Sequence, residues 1–232
     1  MCGRYSLFAS PADLETRFDA AFGDGFEPRY NAAPGQALPV ITDEEPDRVR
    51  RLEWGLIPRW ADDSTERYIN ARSETVAQKP AFAEAYERRR CLVPADGFYE
   101  WTDTGGGKRP YRVALADDRP FAMAGLYERW TPETTQTGLD AFAGGGGADA
   151  AAGSPDPVET FTVVTTDPNA VVEPLHHRMA VVLDPDEEAA WLDGNEVSFE
   201  PAPAEEFRSY PVSTAVNDPS NDRPDLVRPV EA

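Results

Sequence analysis

The fold prediction starts from residues 90–101, which read RCLVPADGFYEW. Residues 91–94 and 98–101 combine branched and aromatic side chains, which favour strands. The three glycines at 105–107 then predict a hairpin turn, and residues 111–115 predict the strand that follows it. We therefore expect this middle part of the chain to form strands joined by turns.

The rest of the chain adds further strands and a few short helices. Helices are predicted at residues 11–22, 80–90 and 185–192. Further strands are predicted at residues 38–41, 48–57, 121–127 and 160–165. Because strands are in the majority, we assign the chain to the α+β class, as a β-rich fold with mixed or antiparallel strands and a few short helices.

Length and composition fit one domain. The chain has 232 residues, 41% of them hydrophobic, which suffices for a core of ordinary size. Residues 131–157 differ in kind because they are rich in glycine and alanine, with four consecutive glycines at 144–147. We therefore predict a single domain over residues 1–232, with a flexible low-complexity loop inserted at about residues 131–157.

Several signals of other protein classes are missing. No apolar run reaches the roughly 18 residues of a membrane-spanning helix. The chain does not start with a basic stretch followed by an apolar one, as a secretory signal does. Cys2 and Cys91 cannot form a disulfide scaffold, and Cys91 is expected to pack in the core. We expect a cytoplasmic protein with no membrane partner.

The charge is strongly negative and unevenly distributed. The chain has 42 acidic and 22 basic side chains, a net charge of −20, which at first argues against a nucleic-acid partner. Residues 1–130 nevertheless have a net charge of only −4, and residues 131–232 carry the other −16. Lys79 and Lys108 are the only lysines. An acidic chain with few lysines suits a salt-rich cytoplasm, so we expect a halophilic protein, with an ordinary acidic protein as the alternative.

Cys2 is the first candidate for chemistry. We expect removal of the initiator Met1, because a small residue follows it, and Cys2 would then carry a free α-amine beside its thiol. That amine has a pKa of roughly 8, so the pair could act as a thiol nucleophile with its own base. It could also condense with an aldehyde to a Schiff base, which the thiol closes into a thiazolidine. The alternative is an incidental cysteine near the terminus.

Glu100 and the pair His176-His177 are candidates for proton transfer. Glu100 lies between aromatic residues, and an apolar setting raises the pKa of a carboxyl. Its alternative is an outward-facing residue on an alternating strand. One histidine of the pair would suit general acid–base chemistry. As metal ligands the two are poor candidates, because adjacent residues on a strand point to opposite faces.

A polar segment and several tryptophans could contact a ligand. Asn70 could orient a substrate oxygen, and Arg72 could hold a phosphate with two parallel hydrogen bonds. The alternative for both is a capping segment before the next helix. Trp54, Trp60 and Trp101 could stack on bases, although packing in the core is the more common role of tryptophan.

Together and in order, these motifs resemble the SRAP family (SOS response-associated peptidase), the abasic-site processing proteins. The resemblance covers nearly the whole chain. It rests on MCGRY at residues 1–5, RYNAAPG at 29–35, WGLIPRW at 54–60, INARSET at 69–75, RCLVPADGFYEW at 90–101, VVTT at 163–166, LHHRM at 175–179 and PVS at 211–213.

The resemblance implies an enzyme of the DNA damage response that crosslinks itself to abasic sites in single-stranded DNA, particularly near replication junctions. It implies that Cys2 forms a thiazolidine with the ring-opened C1′ aldehyde, and that Asn70 orients the reacting amine and sugar. Glu100 would shuttle protons, and His176 would help to open the deoxyribose ring. His176 is chosen over His177 because the family motif is His-x-Arg-Met-Pro.

The resemblance also implies how DNA is bound. The DNA-contacting residues that it implies are Arg4, Asn31, Pro34, Trp60, Arg72, Thr165 and Arg178. The three arginines would contact phosphates, the proline and the tryptophan would line the wedge where the strand bends, and the threonine would add a polar contact. The chemistry needs no metal or cofactor. We expect a monomer that is found at the nucleoid when it is bound to DNA.

Two departures from the family pattern and three further functions stay open. Ala180 stands where the family motif ends in proline, and the acidic loop at residues 131–157 could restrict access to DNA. One alternative is an N-terminal-nucleophile hydrolase like the class II glutamine amidotransferases, which also begin Cys-Gly. Another is a non-catalytic module that binds DNA junctions. The peptidase label suggests removal of Met1, or release from the crosslink, as a second role.

Overall fold

The two predicted strands within residues 90–101 belong to different sheets. The computed structural model describes residues 2–23, 25–132 and 156–231. In it, strand β6 (Arg90–Ala95) lies in an eight-stranded sheet and strand β7 (Gly97–Asp103) in a five-stranded sheet. Asp96 joins them, and its buried carboxylate accepts hydrogen bonds from the backbone N–H groups of Phe8 and Ala9. The chain thus passes from one sheet to the other at a single residue.

Strands form most of the regular structure in the described residues, which confirms the predicted β-rich α+β class. The other strands are β1 (Tyr5–Leu7), β2 (Arg29–Ala32), β3 (Ala37–Thr42), β4 (Glu45–Trp54), β5 (Asn70–Arg72), β8 (Lys108–Leu115), β9 (Phe121–Trp130), β10 (Val158–Thr166), β11 (Met179–Ala180), β12 (Val182–Leu183) and β13 (Phe207–Pro211). The α-helices are α1 (Pro11–Phe18), α2 (Ala83–Arg88) and α3 (Pro185–Leu192). Short 3₁₀ helices span Ala204–Glu206, Thr214–Asn217 and Pro224–Val227.

Five strands of the larger sheet close into a ring. Neighbours follow the order β4, β3, β6, β9 and β10, and β10 pairs back onto β4. The sheet is mixed, because β10 runs parallel to β4 and β5 and antiparallel to β9 and β11. The smaller sheet has the order β13, β8, β7, β1 and β2, and all its pairs are antiparallel.

Trp54 packs at the centre of the core and connects the two sheets. Its ring stacks on Phe161 of β10, with centroids 6.1 Å apart, and tilts against Tyr5 of β1 at 5.3 Å. All three side chains are fully buried, and the indole N–H of Trp54 donates to the carbonyl of Ile69 (2.9 Å). Of the two roles considered for Trp54, the structure therefore assigns core packing. Cys91 is buried in the same core, as expected.

Several predicted boundaries need correction, and each has a local cause. Helix α1 ends at Phe18 rather than at residue 22, because Asp19 adopts a left-handed conformation (φ 48°) that terminates the helix. Strand β4 ends at Trp54 rather than at residue 57, because Gly55 (φ 131°) turns the chain. Helix α2 covers only Ala83–Arg88 of the predicted 80–90. Helix α3 has the predicted bounds.

The predicted loop at residues 131–157 lies mostly outside the described residues. Its flanks are held together, because Trp130 at the end of β9 pairs with Val158 at the start of β10. Within the described ranges, no helix is long and apolar enough to cross a membrane.

Gly125 provides a test of packing in the ring. It lies on β9 between Cys91 and Val163 on the neighbouring strands. A Cβ atom there would be 2.8 Å from the Cys91 sulfur and 2.9 Å from a Val93 methyl group. We expect Gly125→Ala to lower the free energy of unfolding by about 1–3 kcal/mol through overpacking, as measured by urea denaturation.

Gly106→Ala is the matched control. A Cβ at Gly106 would meet no atom within 4 Å, so a change of less than about 0.5 kcal/mol is expected. Equal effects of the two substitutions would contradict this account of the ring.

Candidate active site at the junction of the two sheets

Cys2 reaches the interior because β1 pairs with β7. Tyr5 lies opposite Phe98 in this antiparallel pair, so the residues before Tyr5 run alongside those after Phe98. This register takes Cys2 toward Glu100. The Cys2 side chain is fully buried, so it is part of the core rather than a frayed chain end.

Asn70 approaches Cys2 from the larger sheet. It is the first residue of β5, which runs parallel to β10 with Asn70 opposite Val163. The Asn70 amide Nδ2 donates to the carbonyl oxygen of Cys2 (2.9 Å). The candidate site thus forms where the two sheets meet, with Cys2 just before β1, Glu100 on β7 of the smaller sheet and Asn70 on β5 of the larger one.

Glu100 is buried rather than facing outward, with 2% of its surface exposed. Burial disfavours the charged carboxylate and raises the pKa of Glu100 to about 7. A carboxyl with this pKa is present in both protonation states near neutral pH, so it can donate and accept a proton.

The Cys2 thiol is held in its protonated form. Burial raises its pKa far above the ordinary value, and the nearby negative charge of Glu100 adds to the effect. A thiol in this state needs a proton acceptor before it can act as a nucleophile.

His176 lies in the loop between β10 and β11. Its backbone N–H donates to the carbonyl of Val172 (2.9 Å), and its ring stacks on His177 with centroids 4.3 Å apart. Its Nδ1 is 3.0 Å from the backbone nitrogen of Arg178. Burial lowers the pKa of His176, so the neutral ring is favoured at neutral pH.

Two cavities collect most of the predicted site residues. One, of about 460 Å³, is lined by Arg4, Glu100, Trp101, Lys108, His176 and Asn217. The other is about 640 Å³, and the predicted residues that line it are Trp60, Asn70, Arg72, Thr165 and Arg178. Across the described ranges, no group of three or more His, Cys, Asp or Glu residues is placed to hold a metal ion.

The predicted DNA-contacting residues differ in their access to solvent. Trp60 is 55% exposed and Arg72 is exposed, so both can meet a ligand. Pro34 is exposed in the turn after β2 but lines neither cavity. Thr165 is buried, and its hydroxyl group donates to the carbonyl of Ala71 (3.3 Å).

Arg4 and Asn31 make hydrogen bonds within the protein. The Arg4 guanidinium donates to the Asn31 side-chain oxygen (2.9 Å) and to the carbonyl of Val216 (2.7 Å). The Asn31 amide donates to the carbonyls of Val216, Asp218 and Asn221. Asn31 is fully buried, so it holds the segment around Val216 in place behind the cavity wall.

In the first cavity, Lys108 and Asn217 were not predicted as site residues, and Trp101 was considered only as a residue that could stack on bases. The indole N–H of Trp101 donates to the Asn217 side-chain oxygen (2.7 Å), and Lys108 starts β8 after the triple-glycine turn. Trp101 directly follows Glu100, so an alternating strand would have placed its side chain on the other face. Asn217 comes from a distant segment that the sequence motifs did not mark.

Comparison with known proteins decides the family. The family model described as SOS response associated peptidase (SRAP) matches residues 1–219. The chain belongs to the SRAP family. The chain is 37% identical over 242 residues to the abasic site processing protein YoqW of Bacillus subtilis (strain 168). The matched region covers 98% of this chain and 99% of that protein.

Two further similarities cover most of the chain. The chain is 32% identical over 245 residues to the abasic site processing protein HMCES of Gallus gallus, covering 89% of this chain and 67% of that protein. A solved structure of a protein from Bacteroides thetaiotaomicron is 27% identical, with a TM-score of 0.80 over 99% of this chain and 100% of that one. The family resemblance inferred from the motifs is confirmed.

Ala180 departs from the SRAP motif without disturbing the local fold. It is fully buried in β11 and pairs with Thr165 of β10. Arg178 precedes this strand, and the His176 turn precedes Arg178. The small side chain is therefore accommodated in a regular ladder beside the site.

Glu100 predicts a specific dependence of stability on pH. Its pKa of about 7 in the folded protein lies above the ordinary value of 4.5, so the folded state binds a proton that the unfolded state has released. Relative to Glu100→Gln, the wild type should therefore lose stability as the pH rises from about 4.5 to 7, by up to about 3 kcal/mol.

Chemical denaturation of both proteins between pH 4.5 and 8 measures this difference. Glu87→Gln, at an exposed position on α2, removes the same charge and should track the wild type. A Glu100→Gln variant that runs parallel to the wild type over this range would contradict the raised pKa.

Proposed function

We propose that this protein traps abasic sites in single-stranded DNA by forming a thiazolidine between Cys2 and the ring-opened sugar, which shields the lesion from cleavage. The observation that carries the proposal is the hydrogen bond of Asn70 to the Cys2 carbonyl beside the buried Glu100, whose pKa is near neutrality. Its relatives are abasic site processing proteins, which supplies the substrate class.

The first step is opening of the deoxyribose ring. In the closed form C1′ carries a hydroxyl group, and the bond between C1′ and the ring oxygen must break to give the aldehyde. A proton leaves the C1′ hydroxyl and a proton is delivered to the ring oxygen. His176, neutral and lining the same cavity as Glu100, is proposed to give its Nε2 proton to the ring oxygen and to take up the proton of the C1′ hydroxyl at the same nitrogen, so that the neutral ring is restored.

The second step joins the Cys2 α-amine, freed by removal of Met1, to C1′. The new C–N bond gives a carbinolamine, whose hydroxyl group must leave as water. Protonated Glu100 supplies the proton for this departure, and an iminium remains. The Asn70 amide, which binds the Cys2 carbonyl, holds the amine in the orientation for attack.

The third step closes the ring. The Cys2 sulfur attacks C1′, the S–C bond forms, and the iminium electron pair returns to nitrogen. The thiol proton passes to the Glu100 carboxylate, which the previous step has just deprotonated. The aldehyde and the aminothiol thus give a thiazolidine and one water, with no change in oxidation state. The high pKa of the buried Cys2 thiol makes this proton acceptor necessary.

A denaturing gel with single-stranded DNA that contains one abasic site tests the proposal. At low and at high potassium chloride, Met1-free wild type should give a covalent adduct whose mass is that of protein plus DNA less one water. Cys2→Ala and Cys2→Ser both keep the α-amine but lack the thiol, so neither should give a stable adduct. Each should give only a Schiff base that borohydride traps.

The alternative functions named in the sequence analysis predict different results in these assays. Glutamine hydrolysis that depends on Cys2, without an adduct, would favour an amidotransferase. Equal DNA binding by wild type and Cys2→Ala, without an adduct from either, would favour a non-catalytic module. Intact-mass measurement of the purified Cys2 variants shows whether removal of Met1 requires the cysteine.

Glu100→Gln and His176→Ala test the assigned roles. Each variant should form the adduct roughly 10²–10⁴-fold more slowly, the usual contribution of general acid–base catalysis, and should retain the wild-type circular dichroism spectrum. Single-turnover rates of adduct formation measure the effect. Wild-type rates in both variants would refute these roles.

The exposed residues of the second cavity are the proposed contacts for the DNA strand. Trp60→Ala should weaken binding of intact single-stranded DNA by about 1–3 kcal/mol through loss of stacking. Arg72→Gln should weaken binding and reduce the salt dependence by about one phosphate contact. Arg119→Gln is the control, because Arg119 lines neither of the two cavities. It follows the C-terminal end of β8, whereas Lys108 starts that strand. Fluorescence anisotropy at several salt concentrations measures all three.

A further inference from the structure

Arg178 is enclosed by acceptors rather than presented to solvent. Only 7% of its surface is exposed. Its guanidinium forms a two-point hydrogen-bonded ion pair with the Glu74 carboxylate, with one bond of 2.9 Å, and donates to Asp167 (3.0 Å) and to the carbonyl of Thr165 (2.6 Å). Two-point pairs of this kind are among the strongest side-chain interactions. A phosphate could contact this guanidinium only in competition with Glu74.

The backbone of Arg178 determines the tautomer of His176. The Arg178 N–H points at His176 Nδ1 over 3.0 Å, and a backbone N–H can only donate. Nδ1 must then be the unprotonated nitrogen, so the neutral ring carries its proton on Nε2. The carbonyl of Arg178, which belongs to the next peptide group, lies 3.2 Å from the same Nδ1 and would favour the opposite tautomer if the N–H of Arg178 turned away. The tautomer therefore depends on the orientation of the peptide group between His177 and Arg178.

Glu74 lies in the polar segment that follows β5, and Thr165 lies near the end of β10. The Glu74 carboxylate and the Thr165 carbonyl accept hydrogen bonds from the Arg178 side chain. These bonds hold it next to β5 and β10, and β5 also carries Asn70. The peptide that faces His176 is thus anchored through its own side chain. The Glu74 carboxylate is half exposed, so it can be changed without opening the core.

We infer that Glu74 is a positioning residue, which holds Arg178 so that its N–H keeps His176 in the Nε2-protonated tautomer. In this role the Arg178 backbone supports His176, and the expected phosphate contact of the Arg178 guanidinium stays a prediction. The effect on tautomer needs no DNA. The effect on rate rests on the proposed function, in which His176 donates a proton to the sugar.

Nitrogen NMR of the imidazoles tests the first part. The chain has only two histidines, and His177→Gln assigns their signals. At a pH where His176 is neutral, wild type should show Nδ1 as unprotonated and Nε2 as protonated. Glu74→Gln should shift both nitrogens toward the average of the two tautomers, while the charge-matched Glu87→Gln should leave them unchanged. Unchanged nitrogens in Glu74→Gln would overturn the inference.

The rate of adduct formation tests the second part. Glu74→Gln should slow it roughly tenfold, a loss typical of outer residues that orient a functional histidine, with unchanged affinity for intact single-stranded DNA. Arg178→Gln should be slowed at least as much, and the double variant should be no slower than Arg178→Gln, because both changes act through one contact. Glu74→Asp should recover part of the rate.

Two results separate failure of this inference from failure of the proposed function. Tighter binding of intact DNA by Glu74→Gln, without loss of rate, would mean that Glu74 merely competes with phosphate for Arg178, and would overturn the positioning role. Absence of any adduct from the wild type would refute the proposed function, and the NMR measurement would still decide the tautomer.

Discussion

The Glu100 carboxyl group is buried where the two sheets meet, and this burial determines which protonation states are available at the candidate site. Desolvation of Glu100 opposes folding, and the aromatic packing of Trp54 against Phe161 and Tyr5 helps to offset that cost. The same dry surroundings keep the Cys2 thiol protonated. Burial in the same surroundings therefore raises the pKa of both groups. Moving either group to the surface would lower the pKa of the group that moves.

The candidate site contains more basic residues than the net charge of −20 of the whole chain suggests. The only two lysines of the chain line its two cavities, one each, beside Arg4 and Arg72. Glu74 and Asp167 form ion pairs with Arg178, which lines the second cavity. Because salt weakens phosphate contacts, stacking on the exposed Trp60 and a covalent bond would supply affinity that charge does not.

The fold class could be predicted from the sequence, because strand-forming runs are local properties, and the motifs named residues most of which line the two cavities. Helix α3 matched its prediction because both its start and its end have local signals. The β5 and β11 strands were missed because they are two or three residues long and exist only through pairing with β10. The burial of Asn31 and the enclosure of Arg178 also could not be predicted, since their partners are up to 190 residues away in sequence. Polar residue types marked the site, but only tertiary contacts tell a ligand contact from an internal support.

The pairing of Trp130 with Val158 has a consequence for how the chain tolerates change. The chain leaves the ring at Trp130 and re-enters it at Val158, and these two residues pair with each other across β9 and β10. A connection of any length therefore spans the same short distance. The entropy cost of such a closure grows only with the logarithm of its length. Residues can thus be gained or lost there in evolution while the register of β10, and with it the position of Thr165 beside the candidate site, is kept.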